Sequence, residues 1–256
     1  MYDIAWSDTY AAVYRSKRDI LKSIEDIDPV SLDELIGIEY QKLQLVENTE
    51  NFILGKPANN ALLWGARGTG KSSLIKAVLN NFKKQNLRII EINKEDLSNL
   101  LDIVDGIRDL KYKFIVFCDD LEFGNNDTSY KALKTILDGS VELPPKNVLI
   151  YATSNRRHLV AEYMGENTNT LVKEGELHYG DSVEEKISLS DRFGLWLSFY
   201  QGTEEDYFNI VDNYFRNYQI DKELLHKEAK KFSALRGGSR SGRCAKQFFN
   251  YFVNKI

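Results

Sequence analysis

"LLWGARGTGKSSLIKAVL", residues 62–79, joins an apolar run to a glycine-rich turn, then to Lys71-Ser72 and an amphipathic stretch. It fits G-x-x-x-x-G-K-[ST] at Gly65, Gly70, Lys71 and Ser72. Glycines let a backbone turn so tightly that successive N–H groups point at phosphate oxygens, and the helix that follows adds its positive end. The loop from Gly65 through Ala66, Arg67, Gly68, Thr69 and Gly70 to Ser73 is therefore read as a phosphate cradle. Lys71 would reach the β- and γ-phosphates of a nucleotide, and the Ser72 hydroxyl would ligate Mg²⁺.

"FIVFCDD" (114–120) supplies a second part: an apolar strand ending in two carboxylates. Asp119 would hold Mg²⁺ through water, and Asp120 would act as general base toward an attacking water. Many ATPases carry Glu at the second position, and the shorter Asp would slow hydrolysis. "YATSN" then places Asn155 just past another strand, where a side-chain amide could orient water or contact the γ-phosphate. Arg192 in "LSDRFG" and Arg243 in "GGSRSGRCAKQFF" follow. Singly such arginines are ordinary surface groups, and their order along the chain is what raises them.

Composition sets few limits. The 256 residues are 43% hydrophobic and 28% charged, as in a soluble globular chain, with room for one large domain or a large and a small one. A net charge of -4 gives no overall reason to seek nucleic acid or an anionic membrane. No apolar run approaches the roughly 20 residues of a membrane-spanning helix. The opening residues lack the apolar core of a secretory signal. With Cys118 in an apolar run and read as a reduced, buried thiol, the expected compartment is the cytoplasm.

Along the chain, residues 1–30 read as a polar helical extension. Apolar residues at helical spacing follow from Leu43 to Ile53. Short apolar runs without alternation lie at 61–64, 87–92, 113–119, 148–154 and 195–200, separated by helical patterns at Ser72–Phe82, Leu97–Leu110 and Ser129–Leu137. Strands of that kind between helices indicate a parallel sheet covered on both faces. After residue 200 only helical stretches remain, at Glu204–Tyr218, Asp221–Phe232 and Ser241–Ile256. The expected organisation is a helical extension (1–30), an α/β nucleotide-binding domain (31–200) and a small helical lid (201–256). Residues 163–186 are polar and loosely patterned, an insertion that is either functional or poorly ordered.

"NKED" at Asn93–Asp96 matches the N-K-x-D that reads guanine in GTPases. It comes too early, before the acidic strand end, and Asp96 more simply favours a helix N-terminus.

The order of P-loop, acidic strand end, polar residue after a strand, arginine before the last strand and arginine in a helical lid resembles the AAA+ ATPases over residues 31–256. More narrowly, "PANNALLWGARGTGKSSLIKA", "FCDDLEF", "LIYATSNRRHL" and "LSDRFGLWLSFY" resemble the predicted ATPases of domain-of-unknown-function family 815. That resemblance implies a P-loop NTPase fold of three layers with a helical lid. It implies ATP and Mg²⁺ as ligands, with Lys71, Ser72, Asp119, Asp120 and Asn155 forming the site within one subunit. Arg243 would contact the γ-phosphate from the same chain, and Arg192 would reach a neighbour's nucleotide in a homo-oligomer. "LDELIGIE" (32–39) resembles the segment that packs on adenine through Gly37 and Ile38, or else is a plain helix entry. ATP and ADP are thus expected over GTP and GDP. The segment after the second core strand lacks the aromatic and glycine of threading unfoldases, which leaves loader-like or switch-like roles open.

Basic residues crowd the end of the chain: Lys227, Lys230, Lys231, Arg236, Arg240, Arg243, Lys246 and Lys255 face one acid, Glu228. They serve a solvated lid face with Arg243, or alternatively a nucleic-acid backbone. Phe248, Phe249, Tyr251 and Phe252 read as lid core. The leading reading is a Mg²⁺-dependent ATPase that couples hydrolysis to remodelling or loading of a macromolecular client. The competing one is a nucleotide-gated binding module or switch with little turnover, with nucleic acid a candidate partner.

Overall fold

The apolar runs become five adjacent strands of one sheet in a computed structural model that describes residues 4–124, 127–138, 143–159, 171–173, 176–178 and 188–256. The strands are β1 (Ala11–Arg15), β2 (Ile20–Ser23), β3 (Ala61–Gly65), β4 (Leu87–Ile92), β5 (Lys113–Cys118), β6 (Val148–Ser154), β7 (Leu171–Lys173), β8 (Glu176–His178) and β9 (Leu195–Phe199). The helices are α1 (Glu39–Ile53), α2 (Lys71–Phe82), α3 (Leu100–Ile107), α4 (Tyr130–Asp138), α5 (Glu204–Phe215), α6 (Lys222–Ala234) and α7 (Gly242–Phe252).

The sheet runs β2-β1-β4-β5-β6-β3-β9, with β1–β2 antiparallel and every other pair parallel. Unbroken apolar strands need cover on both sides, and successive side chains go to opposite faces. Leu62, Ile90, Phe114, Val116 and Ile150 meet α3 and α4 on one face. Ala61, Leu63, Ile89, Ile115 and Phe117 meet α1 and α2 on the other. Three layers result. Each of these Leu, Ile, Val and Phe side chains contributes about 1.5–3 kcal/mol on burial, so the sheet, not the loops, sets the geometry of the strand ends.

Residues 1–30 correct the sequence reading. They contain no α-helix among the described residues; β1 adds parallel to β4 and β2 turns back along it. Ala11, Ala12, Val13 and Tyr14 are all buried, so this segment has no polar stripe for a surface helix to expose. Asp19, at φ 48°, makes the turn between them. Arg88 of β4 anchors the extension: its Nε donates to Trp6 O at 2.9 Å, and its guanidinium stacks 4.8 Å from the Tyr10 ring and 4.3 Å from the Tyr112 ring.

The last three helices close around their own core, with Tyr207, Val211 and Phe215 of α5, Leu225, Ala229 and Phe232 of α6, and Cys244, Ala245 and Phe248 of α7. Thr203, Asp221 and Ser241 cap them, each side chain accepting from a backbone N–H of the first turn. Phe249 and Phe252 pack against this core as expected, whereas Tyr251 is exposed.

Most of the polar segment 163–186 lies outside the described residues; within it β7 and β8 pair antiparallel. Cys118 is a free thiol, buried and pushed up to about 12 by desolvation first and Asp119 next. Among the described residues no helix is long and apolar enough to cross a membrane.

Candidate functional site

The glycine-rich loop leaves the sheet at the C-terminal end of β3, which lies between β6 and β9. Parallel α/β sheets open their clefts at such ends, where the strand order reverses. Gly65 (φ +131°) packs so closely on β9 that a Cβ there would stand 2.0 Å from Phe199 O. Ala66 N donates to that same carbonyl at 2.9 Å. Gly68 and Gly70 also take positive φ, 77° and 97°. The loop thus delivers its chain into α2 with Gly70 as N-cap and no side-chain hydrogen bond capping the helix end. The first-turn N–H groups of α2 are left for a ligand.

Lys71 is nearly buried and folds its ammonium back onto the loop. Its Nζ donates to Gly65 O and Ala66 O, both at 2.7 Å, and to Asn155 Oδ1 at 3.4 Å. Desolvation lowers its pKa; Asp120 and then Asp119 oppose that, while Arg243 and Arg67 add to it. The carboxylates at the end of β5 are equally engaged. Asp119 Oδ1 accepts from Ser72 Oγ at 2.7 Å and from Thr153 Oγ1, and Thr153 Oγ1 in turn accepts from Asp120 N at 2.9 Å. Asp120 adopts φ 52°, and its Oδ1 accepts from Asn155 Nδ2.

These residues line one cleft of about 920 Å³. Gly37 and Ile38 form part of its wall, and Ile38 Cδ1 lies 3.5 Å from where a Cβ on Gly70 would be. The segment leading there is also a helix entry, a short 3-10 turn (Leu32–Glu34) with a Ser31–Glu34 capping box just before α1. Arg67 to Ser73, Asp119, Asp120, Asn155 and Arg243 line the cleft as well, whereas Gly65 and Ala66 do not. The lid touches the loop directly: Arg243 N donates to Gly68 O at 3.4 Å, and a Cβ on Gly68 would meet Ser241 Oγ at 3.0 Å.

Arg192 stands apart from this group. It does not line the cleft, and its side chain pairs with Asp138 and donates to Ser188 of its own chain. Its ion-pair partner is Asp138 rather than the adjacent Asp191.

Sequence reasoning missed Thr153, Tyr200, Asp206, Ile210 and Tyr214, all of which line the cleft. Thr153 was within reach, because on a strand it shares a face with Asn155 two residues on. Asp206, Ile210 and Tyr214 recur at helical spacing on α5 and form its cleft-side stripe.

"NKED" lies elsewhere. None of Asn93–Asp96 lines the cleft; Lys94 Nζ instead donates to Glu122 O at 2.8 Å and pairs with Asp127 at 3.0 Å. Residues 94–99 form a 3-10 helix with Asp96 in its first turn. Several basic side chains of the lid are also engaged at home: Lys230 and Arg240 with Glu204, Lys231 with Glu228, and Arg236 over the Phe232 ring.

Ammonium, hydroxyl, two carboxylates, an amide and open helix N–H groups at one cleft suit a polyphosphate with a hard divalent cation. Comparison with known proteins agrees in fold. A 76-residue segment, 29% of this chain and 17% of the relative, is 40% identical to the replication factor C large subunit of Sulfurisphaera tokodaii. A segment of the same length is 33% identical to that of Staphylothermus marinus. The chain thus spans 17% of the length of those curated relatives. The RuvB Holliday junction branch migration motor of Thermotoga maritima superposes with a TM-score of 0.50 at 14% identity, over 88% of this chain and 73% of that one. The fold is that of the AAA+ P-loop ATPases. With a match from residue 7 to residue 256 to the model described as "Protein of unknown function (DUF815)", the chain belongs to that family.

Proposed function

We propose that the chain binds ATP with Mg²⁺ in this cleft and hydrolyses it, and that a homo-oligomer uses the cycle to remodel or load a macromolecular partner. The observation that carries the reading is the meeting of Lys71, Asp120 and Asn155 beside the Ser72–Asp119 contact, at the open end of α2. Residues 31–200 would form the nucleotide-binding part and 201–256 the lid.

The Ser72 hydroxyl and the Asp119 carboxylate meet at 2.7 Å, so Ser72 would ligate Mg²⁺ there and Asp119 would hold it through water. When bound, Mg²⁺ neutralises charge on the β- and γ-phosphates. Lys71 would leave the carbonyls of Gly65 and Ala66 for the phosphate oxygens. Asp120 would take a proton from the water whose oxygen attacks the γ-phosphorus as the bond to ADP breaks, and Asn155 would aim that carboxylate. Arg243 would reach the γ-phosphate from the lid, and Arg192 that of a neighbouring subunit.

A switch with little turnover is the second reading. It is favoured by the contact that ties Asp120 to Asn155 and by the reach of Asp, one methylene shorter than Glu. Calorimetric titration of the chain with ATP, with and without Mg²⁺, together with steady-state phosphate release, tests both. Saturable Mg²⁺-dependent binding lost in Lys71→Ala supports the nucleotide reading, and absence of binding overturns it. Turnover assigns the enzyme; binding alone assigns the switch.

A further inference from the structure

The cleft has two chemically different ends. Around the P-loop it is polar, and on the reading above this end takes the phosphates. Beyond the loop the lining includes apolar side chains, Leu35 and Ile38 ahead of α1 and Ile210 and Tyr214 on α5, with the carboxylates of Glu34 and Asp28 close to Tyr214. A nucleobase belongs between such walls.

Asp206 of α5 adds a carboxylate to that lining. Asp206 Oδ2 accepts from Thr203 N and from Thr203 Oγ1, both at 2.8 Å, which fixes the side chain. Its Oδ1 has no hydrogen-bond partner among the described residues. It lies 4.0 Å from the point that a Cβ on Gly37 would occupy. Gly37 has φ +80° and no side chain, and both it and Asp206 line the cleft. The two hydrogen bonds from Thr203 hold the carboxyl below its ordinary pKa, which keeps Oδ1 an acceptor at neutral pH.

We propose that Asp206 Oδ1 selects the base, by accepting from the 6-amino group of adenine and repelling the 6-oxo group of guanine or hypoxanthine. The proposal rests on the ATP reading of the cleft. Adenine presents a donor at position 6 and guanine an acceptor. A carboxylate with both oxygens free could instead take guanine by its paired N1–H and N2–H donors. Capture of Oδ2 by Thr203 removes that option and leaves a single acceptor, which matches a single amine. Selection by this route needs no N-K-x-D motif.

The test is equilibrium binding of ATP and ITP to the whole chain in the presence of Mg²⁺. ITP differs from ATP at the 6-substituent and the N1 proton. The parent is expected to bind ATP about 10–10²-fold more tightly, the range of one charge-assisted hydrogen bond. Asp206→Asn keeps an acceptor for Thr203 and can offer an amide N–H to the 6-oxo group, so the preference should fall at least about tenfold or invert. Ile210→Ala should weaken both triphosphates while leaving their ratio intact. An unchanged ratio in Asp206→Asn, or its loss in Ile210→Ala as well, overturns the assignment. Equal binding of ATP and ITP by the parent overturns the assignment but leaves the nucleotide reading standing. Failure of the parent to bind either triphosphate removes both.

Discussion

Ser72 Oγ donates to Asp119 Oδ1 at 2.7 Å, so a hydroxyl from the start of α2 and a carboxylate from the end of β5 meet at one point beside the P-loop. Neither element alone could make this contact; the sheet register that sets β3 beside β6, and β6 beside β5, creates it. If the pair acts as one cation site, Ser72→Ala and Asp119→Asn should each raise the Mg²⁺ concentration needed for ATP binding. The double variant should lose less than the sum of the two, by a coupling of about 0.5–3 kcal/mol. Strictly additive losses in a Mg²⁺ titration would mean that the two residues act separately.

The cap of α5 gives a stability prediction with a defined pH dependence. Thr203→Ala removes the hydroxyl that accepts from Asp206 N and should cost about 1 kcal/mol in neutral denaturant titrations. Asp206 itself is held below its ordinary 3.8 by the Thr203 backbone N–H first and the hydroxyl second. A carboxyl with a depressed folded pKa stabilises above its unfolded value, and that stabilisation is lost as pH falls through the folded one. The parent should therefore lose Tm relative to Asp206→Asn only below about pH 3.8. A gap that changes between pH 5 and 8 would point to another group.

Two glycines separate conformational strain from steric contact. Gly55 (φ +71°) has nothing within 4 Å of an added Cβ, whereas on Gly65 that atom would stand 2.0 Å from Phe199 O. Gly55→Ala should cost about 1–2 kcal/mol from the left-handed conformation alone. Gly65→Ala adds a backbone clash and should cost about 2–6 kcal/mol. Similar unfolding midpoints for the two variants would show that β3 and β9 do not meet in solution as they do here.

The core strands and the phosphate loop were legible in the chain because local chemistry dictates them. Apolar runs such as "FIVFCDD" must be covered on both faces, and a phosphate cradle needs glycines, a lysine and a hydroxyl at fixed spacing. β1 was not legible, since its burial comes from docking against β4, far away in sequence, and short charged segments flank it. The base end of the cleft was hidden for another reason. Tyr207, Val211 and Phe215 fill the lid core, while Asp206, Ile210 and Tyr214, one position earlier in each turn, face the cleft. Periodicity alone merges the two stripes into one broad amphipathic face, and only tertiary packing divides them.

Arg192 carries the prediction about assembly. On the proposed reading, Arg192, which pairs with Asp138 and does not line its own cleft, would serve turnover from a neighbouring subunit. Arg192→Ala and Lys71→Ala should each be nearly inactive alone. Mixed, they create interfaces that join an intact P-loop to an intact arginine, and part of the activity should return, since a supplied arginine raises such rates by about 10³–10⁵-fold. Mixtures shown to co-assemble without recovery would leave Arg192 as a surface ion pair worth about 0–1 kcal/mol.

The most direct measurement sets ATP affinity and phosphate release side by side in the parent chain and in Asp120→Asn. This substitution removes the proposed proton acceptor but leaves Lys71, the P-loop and the Ser72–Asp119 pair in place. The account predicts that ATP affinity stays within about threefold, a change below 0.7 kcal/mol, while turnover falls by about 10²–10⁴-fold. Hydrolysis at the parent rate in Asp120→Asn, or no ATP binding by the parent, would contradict it.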